Sequence, residues 1–400
     1  MKTLLLYSNY TDQMSYYDDW IDAFKEHPVF DLTAVNLFNN SFPNIHKDVI
    51  KLIERAELII LHHSMNGDTL KYLTPLVSAL KNRRGKLISF VGNEVNLPTI
   101  GMKPKINILK EIKADFIATQ LLLDAGEWLY KECSESRVVS IPHALNPMKF
   151  KKTTSIKDRK IDIGTRSARY GVYIGDTNRN NIIQFFHKNS FGLKVDLGVN
   201  CNDQKRFDRN GWVNFLNSCK STLSTEAGSF YLDPDDKIVI EIHKYLKRKS
   251  SKFVLPNETF LRKGYQYIVP SFIRKIVISL LKDQIVEVDG VDQDTNFQEI
   301  YDKFFANAKK APVYTKAISS RHFDAIGTHT LHVMYPGRYN DILKPHEHYF
   351  ELQKDHSNTE DLLSLLKNSK KLEVITSETY DYVLQNHTHK HRLDKLLESL

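Results

Sequence analysis

Six short apolar runs punctuate the first 150 residues, and they constrain the fold more than anything else in the chain. They are Thr3–Tyr7, Leu32–Leu37, Leu58–Leu61, Lys86–Val91, Phe116–Thr119 and Val138–Ile141. Each is rich in Leu, Ile, Val or Phe and mostly continuous rather than alternating. A strand reads that way when both of its faces are buried. Amphipathic stretches lie between them: Tyr16–Glu26, His46–Arg55, Leu70–Lys81, Ile106–Lys113 and Leu122–Cys133. Strand–helix alternation of this kind makes a parallel sheet with right-handed crossovers. The sequence therefore predicts a Rossmann-like domain over residues 1–150.

Near residue 150 the text changes. KFKKTTSIKDRK, Lys149–Lys160, is polar and basic and reads as a linker. A second alternating block fills 151–400. Its strands are Ile161–Gly164, Lys194–Val199 and Ser221–Ser224. Its helices include Arg179–Lys188 and Trp212–Ser218, and the block resumes at Ile318–Gly327 and Thr330–Met334. Between these parts, 229–310 reads as a helical part of the second domain or an insertion into it. Asn358–Leu366 and Glu378–Ser399 read as closing helices, with 378–400 ending the domain. No repeat of solenoid length is evident. The fold class is α/β: two Rossmann-like domains facing across a cleft, with ligands expected at the carboxyl ends of the strands.

Composition narrows the partners without choosing among them. Lys and Arg number 56 against 48 Asp and Glu, a net charge of +8. That suits nucleic acid, an acidic membrane surface or a phosphorylated small molecule. The basic residues do not interleave with aromatics on a recognisable module, so nucleic acid is not expected. Cys133, Cys201 and Cys219 are an odd number without metal-like spacing, which fits a reducing compartment. Leu4–Leu6 is too short for a secretory core, and no run approaches the roughly 20 apolar residues of a membrane span. A cytoplasmic protein is the expectation. Pro270–Lys282 is apolar with Arg274, Lys275 and Lys282, and Lys244–Lys252 is basic. This reads first as a core helix with cationic ends. The alternative is a peripheral contact with the inner membrane face.

The residues richest in chemistry lie in Ile318–Asn358. Ser319 or Ser320 is a good N-cap, the helix Arg321–Ile326 follows, and Gly327 is a C-cap residue. Arg321 therefore opposes the helix macrodipole, by roughly 0.3–1 kcal/mol. A bound anion would remove that conflict. Asp324 lies three residues on, on the same face. The pair fits a nucleoside diphosphate, with phosphate on the arginine and ribose on the aspartate. It equally fits an intrahelical ion pair. In the first domain, His62 and His63 end one strand and Asn93 and Glu94 another, facing the expected cleft. His63 is a candidate contact to donor or acceptor, and Glu94 a candidate base. The loop Ser8–Ser15 lacks the glycine pair of a phosphate loop. Asp233-x-Asp235-Asp236 looks like a metal site but follows the wrong element. His387, His389 and His391 alternate along what reads as a helix surface; only His387 and His391 share a face, and no third ligand joins that pair. No metal is expected.

Several stretches together carry a family resemblance. They are Ile141-Pro142-His143-Ala144, Ile161-Asp162-Ile163-Gly164-Thr165-Arg166, and Thr225-Glu226-Ala227-Gly228-Ser229 followed by Asp233. Further on come Arg321–Gly327, Gly337-x-Tyr339, Leu343-x-Pro345, His348-Tyr349, Tyr380-x-x-Val383 and His387-Thr388-x-x-His391-Arg392. In this order over 140–400 they resemble glycosyltransferases of the GT-B fold, in the "glycosyl transferases group 1" and CgeB-like branch. The resemblance implies a nucleotide-sugar donor of UDP or GDP type on the second domain, with no further cofactor. The acceptor, on the first domain, would be a glycan, a lipid-linked sugar or a protein, in surface polysaccharide or glycoconjugate assembly. Transfer would be metal-independent, with retention favoured over inversion. Arg166 and Arg321 would clamp the donor phosphates, with Ser319 and Ser320 at the helix start, and Asp324 would take the ribose. Glu226, Gly228 and Ser229 would line the donor pocket. Many retaining members carry two glutamates eight positions apart. Here Lys316 stands at the first position and Asp324 at the second, so Lys316 is assigned to phosphate. A nucleotide-sugar 2-epimerase and a non-catalytic glycan-binding or assembly protein are the alternatives.

Overall fold

The computed structural model describes residues 1–9, 14–38, 44–167, 170–198, 207–249 and 296–400. Cys201, Pro270–Lys282, most of the 229–310 stretch and part of the Ser8–Ser15 loop lie outside the described residues. The first sheet is wholly parallel. Its strands are β1 (Lys2–Tyr7), β2 (Asp31–Asn36), β3 (Leu58–Leu61), β4 (Lys86–Phe90), β5 (Phe116–Thr119) and β6 (Arg137–Ser140), ordered β2-β1-β3-β4-β5-β6. Leu4 and Leu6 face one apolar cluster with Ile59, Leu61, Leu87 and Ile117. Leu5 faces another with Leu58, Ile60, Ile88 and Phe116. Every side chain of the inner strands thus has an apolar neighbour, which is why the sequence runs do not alternate.

The second sheet repeats the plan. β7 (Ile161–Gly164), β8 (Val195–Asp196), β9 (Cys219–Ser224), β12 (Leu331–Met334) and β13 (Phe350–Glu351) are parallel and ordered β13-β12-β9-β7-β8. A short antiparallel pair, β10 (Ala227–Gly228) with β11 (Lys316–Ala317), ties the loop after β9 to the chain entering the helix Ser320–Gly327. In each sheet the first strand lies between the second and the third. The crevice of such a sheet opens at the carboxyl ends on either side of that switch.

Three elements differ from their sequence reading in ways that the structure explains. Leu70–Lys81 is not one helix but a 3₁₀ turn, Thr74–Leu76, leading into Val77–Lys81. Pro75 lacks an N–H and starts a helix rather than continuing one. The stretch over Ile106–Lys113 begins earlier, as Met102–Glu111. The helix read over Glu378–Ser399 is two: Ser369–Asn386 and His389–Glu398. Thr388 breaks it, capping the second helix in a reciprocal box with His391. That last helix leaves the second sheet and lays Leu393 and Leu396 among Trp20, Phe24 and Phe90 of the first domain. His389 is buried there, edge-on to Trp20 at 4.7 Å, so it is not a surface residue. Among the described residues no helix is long and apolar enough to cross a membrane, and no His, Cys, Asp and Glu cluster fits a metal.

The Asp233–Asp236 motif is a clasp. Asp233 caps its own helix, Lys237–Lys249, accepting from Ile238 N at 3.0 Å. Asp235 pairs with Lys103 at 3.1 Å. Asp236 reaches across to the first domain and accepts from Met102 N at 2.8 Å and Lys103 N at 2.9 Å. Its carboxylate caps a helix whose own N-cap, Gly101, has no side chain to offer. Asp236→Ala leaves one buried and one half-buried donor unsatisfied, and we expect a loss of about 2 kcal/mol in urea unfolding. Asp236→Asn, which keeps one acceptor, loses less. A change within about 0.5 kcal/mol for the alanine variant, the range of an ordinary surface substitution, refutes the clasp.

Candidate functional site

The carboxyl edge of the second sheet gathers cations from three elements. Arg166 follows β7. Arg179 lies in the first turn of the helix Asn178–Lys188, which starts at that edge and has no acidic residue in its first turn. Arg321 lies in the first turn of Ser320–Gly327, which also lacks one. Helices entering and leaving a parallel sheet at this edge turn their N-termini toward it, where free N–H groups favour an anion. Ser319 is the N-cap and His322 completes a capping box, its Nδ1 3.1 Å from Ser319 N. Ser319, Ser320 and Arg321 are half-buried. Arg321 Nη1 reaches the carbonyl of Arg166 at 3.4 Å, bringing the two together.

The neighbouring charges are firmly engaged. The Arg166 guanidinium pairs with Asp196 at 2.7 Å and lies 4.3 Å over the Phe215 ring. Lys316 is buried, with Nζ 2.6 Å from Asp176. Arg179 stacks on Tyr170 at 3.8 Å and donates to its hydroxyl at 3.0 Å. That hydroxyl accepts from Gly228 N at 3.2 Å and donates to the Glu226 carbonyl at 3.4 Å. Arg179 is thus joined to the loop after β9, a residue that sequence reasoning missed. The signal was present: a first-turn cation without an acid, the same conflict that singled out Arg321.

Glu226 shapes the loop after β12. Its carboxylate accepts from Tyr314 Oη at 2.6 Å and Tyr339 N at 2.8 Å. Burial pushes its pKa up. A Cβ at Gly337 would come 2.5 Å from Glu226 Oε2, so any other residue there would displace that carboxylate. Gly228 has φ +88°, and a Cβ would meet the Thr315 carbonyl at 2.7 Å. Ser229 is buried, its hydroxyl accepting from Tyr231 N at 3.2 Å and its carbonyl from Thr315 Oγ1 at 2.6 Å.

Three predicted site residues lie away from open space. His63 is 1% exposed, packed among Trp20, Phe90 and a parallel His143 ring 5.5 Å away. Burial holds its imidazole neutral. It is a core residue rather than a cleft residue. Glu94 accepts from Thr119 at 2.6 Å, Tyr130 at 2.6 Å and Gln120 N at 2.8 Å. Those bonds occupy both of its oxygens. Beside it, the buried Lys105 fastens the carbonyls of Gly92 and Asn93 at 2.8 and 3.0 Å.

Asp324 reaches into the seam between the domains. It accepts from Ser15 Oγ at 3.0 Å and Trp212 Nε1 at 2.9 Å. Burial, then the nearby Asp19, push its pKa well above the ordinary carboxylate range. Asp19 accepts from Asn146 at 2.9 Å and from Arg209 at 2.8 Å, and Arg209 also bonds Asp22 at 2.8 Å.

Solved structures carry the same architecture. HepE of Anabaena in complex with UDP-glucose aligns over 100% of both chains at a TM-score of 0.52 and 10% identity. Its complex with UDP and glucose gives the same values. An alpha-glucosyltransferase in complex with UDP and a 13-mer DNA containing a HMU base aligns at 0.51 and 10% identity, covering 100% of this chain and 98% of that one. The chain has the GT-B fold. No protein-family model matches the sequence, and a comparison with curated proteins finds no match. At 10% identity the likeness to these GT-B structures is one of fold.

The seam makes a pH prediction. Burial lifts Asp19 from 3.8 to about 7, against the opposing pull of Arg209. The folded state therefore holds more protons than the unfolded chain between those values. The Asp19 contribution to stability rises as pH falls through about 7 and is complete near the ordinary carboxylate value. Buried histidines act the other way below their ordinary 6.5, His143 being lowered to about 4 and His62 to about 3. Between about pH 8 and 6.5 those histidines contribute little, and Asp324, raised in the same direction, acts with Asp19. The urea midpoint should rise over that interval in the wild type, and less in Asp19→Asn, which keeps an acceptor for Arg209 and Asn146. Equal slopes in the two proteins rule it out.

Proposed function

We propose that this chain is a glycosyltransferase that moves a sugar from a nucleotide-sugar donor of UDP or GDP type to a glycan, lipid-linked or protein acceptor. The observation that carries the reading is the meeting of Arg166, Arg179 and Arg321 with a half-buried helix start at the carboxyl edge of the second GT-B sheet. Sugar transfer builds negative charge on the departing diphosphate, and fixed cations with helix N–H groups stabilise it in place. Arg321, Arg179 and the Ser319–Ser320 turn are the donor clamp. Arg166 and Lys316 stand beside it, each already paired with an aspartate. The HepE and alpha-glucosyltransferase complexes, which hold UDP-glucose and UDP, favour a uridine donor. The DNA in the second of them belongs to that protein and is not carried over.

Glu226, Gly228 and Ser229 build the donor loop rather than touch the sugar through the carboxylate. His63, Glu94 and Asp324 are assigned to the scaffold. Glu94 and Glu226 each spend both oxygens on internal hydrogen bonds, and the buried Asp324 takes two such bonds on Oδ2. None of the three is then placed as a general base. The departing phosphate becomes the nearest base for the acceptor's proton, which favours retention. Surface polysaccharide or glycoconjugate assembly is the setting that suits such an acceptor.

The test is a thermal-shift and calorimetric screen with UDP, GDP, CMP and TDP, with and without magnesium. One nucleotide should stabilise the wild type, by about 2.7 kcal/mol at 100 times its dissociation constant. Arg321→Ala and Arg179→Ala should each weaken binding about tenfold or more, the loss of a charge-assisted contact. Asp324→Asn should leave it unchanged. If no nucleotide shifts the folded wild type, the donor reading fails and a non-catalytic role moves ahead.

A further inference from the structure

We propose that Asn340 is a positioning residue that couples closure of the two domains to the geometry of the donor-binding helix start. The proposal rests on the reading of Ser319–Arg321 as the donor clamp. Asn340 sits in the loop after β12 with φ 54° and ψ 26°. It is the middle of three left-handed residues, between Tyr339 at φ 46° and Asp341 at φ 58°. Outside glycine such a run is strained, and Asn is among the few residues that tolerate it. Strain of this kind persists only where the surroundings over-determine it.

Here they do. Tyr339 N is held by Glu226, and Tyr339 Oη donates to the Tyr335 carbonyl at 2.6 Å. Arg338 N donates to Tyr314 Oη at 3.2 Å. The loop is thereby a rigid part of the second domain, and it presents the Asn340 amide edge-on to two partners. Oδ1 accepts from Ile318 N at 2.7 Å, one residue before the N-cap Ser319. Nδ2 donates to the Gln120 carbonyl of the first domain at 2.9 Å. An N–H can only donate and a carbonyl can only accept, so the amide has one satisfactory orientation.

Beyond Gln120 the path continues. Gln120 N donates to Glu94, and Gln120 Nε2 donates to the Val91 carbonyl at 3.2 Å. Glu94 is fastened in turn by Thr119 and Tyr130. A chain of hydrogen bonds therefore runs from Glu226 on one side of the cleft to Glu94 on the other, through a single planar side chain. The two ends of that side chain are satisfied together only at this separation of the domains. Opening the cleft strips the amide of its Gln120 partner while Ile318 stays held.

Two substitutions separate the halves. Asn340→Asp keeps an acceptor for Ile318 but sets a carboxylate oxygen against the Gln120 carbonyl. Asn340→Ala removes both bonds, and Asn340→Gly does so while relieving the backbone. By solution X-ray scattering, ligand-free Asn340→Asp should be more extended than the wild type. Its affinity for UDP by calorimetry should stay within about twofold, while kcat for UDP-sugar turnover falls roughly tenfold at unchanged donor KM, the worth of about one hydrogen bond. Asn340→Ala and Asn340→Gly should be as extended and should also bind UDP roughly tenfold more weakly. A compact Asn340→Asp with wild-type kcat overturns the coupling, as does an Asn340→Ala with wild-type UDP affinity. If the wild type binds no nucleotide, the donor reading fails instead. The scattering comparison then still decides whether Asn340 holds the domains closed.

Discussion

Arg209 stands where the two domains meet, and the seam around it is negative. Asp19 and Asp22 come from the helix Ser15–Glu26 of the first domain, and Asp324 from the helix Ser320–Gly327 of the second. Arg209 opens a third helix, Arg209–Ser218. A buried pair of this sort contributes little net stability over an apolar substitute, but losing one partner costs about 3–5 kcal/mol. Its more useful property is direction. Two bonds from one guanidinium to Asp19 and Asp22 set the angle between helices that apolar contact leaves soft. Each of these helices begins at the carboxyl edge of its own sheet. Fixing them therefore fixes the two edges that face each other across the cleft.

The same logic explains why the charges of the site are so often occupied. A basic edge without a counter-ion repels itself, and burial makes the repulsion worse. Arg166 is balanced by Asp196 and Lys316 by Asp176. Arg179 rests on an aromatic face. These partners hold the cations at fixed places before any ligand arrives. On the proposed donor reading, an incoming diphosphate would meet preorganised donors rather than recruit mobile ones.

The fold was largely legible in the sequence because it follows from side-chain period. Leu58–Leu61 and Phe116–Thr119 were read to the residue, since two-sided burial leaves a continuous apolar run with clear ends. What was not legible depends on contacts far apart in the chain. Met102 starts a helix because Asp236 caps it from 134 residues away. The last helix turns back to Trp20, a contact between distant residues that no local pattern announces. At the site, Arg321 and its serine cap were readable from the macrodipole argument. Asp324 was not, because helical spacing places it on the face of Arg321 but says nothing of what covers that face. Ser15 and Trp212 do. His63 and Glu94 were correctly placed at strand ends. Position along a strand could not tell a cleft residue from one walled in by Trp20, or from one held by Tyr130.

These contacts together bear on how the cleft would work. The Asp236 clasp, the Arg209 seam and the Asn340 amide each join the domains through the protein's own groups. A cleft held closed in advance lets a donor bind without first drawing on its own affinity to close the domains, so the apparent affinity approaches the intrinsic one. The same bonds must break, or the cleft must otherwise open, before a bulky product leaves. The raised pKa of Asp19 and Asp324 softens that constraint. As the seam loses its protons on the alkaline side, three carboxylates face one arginine and the clasp weakens.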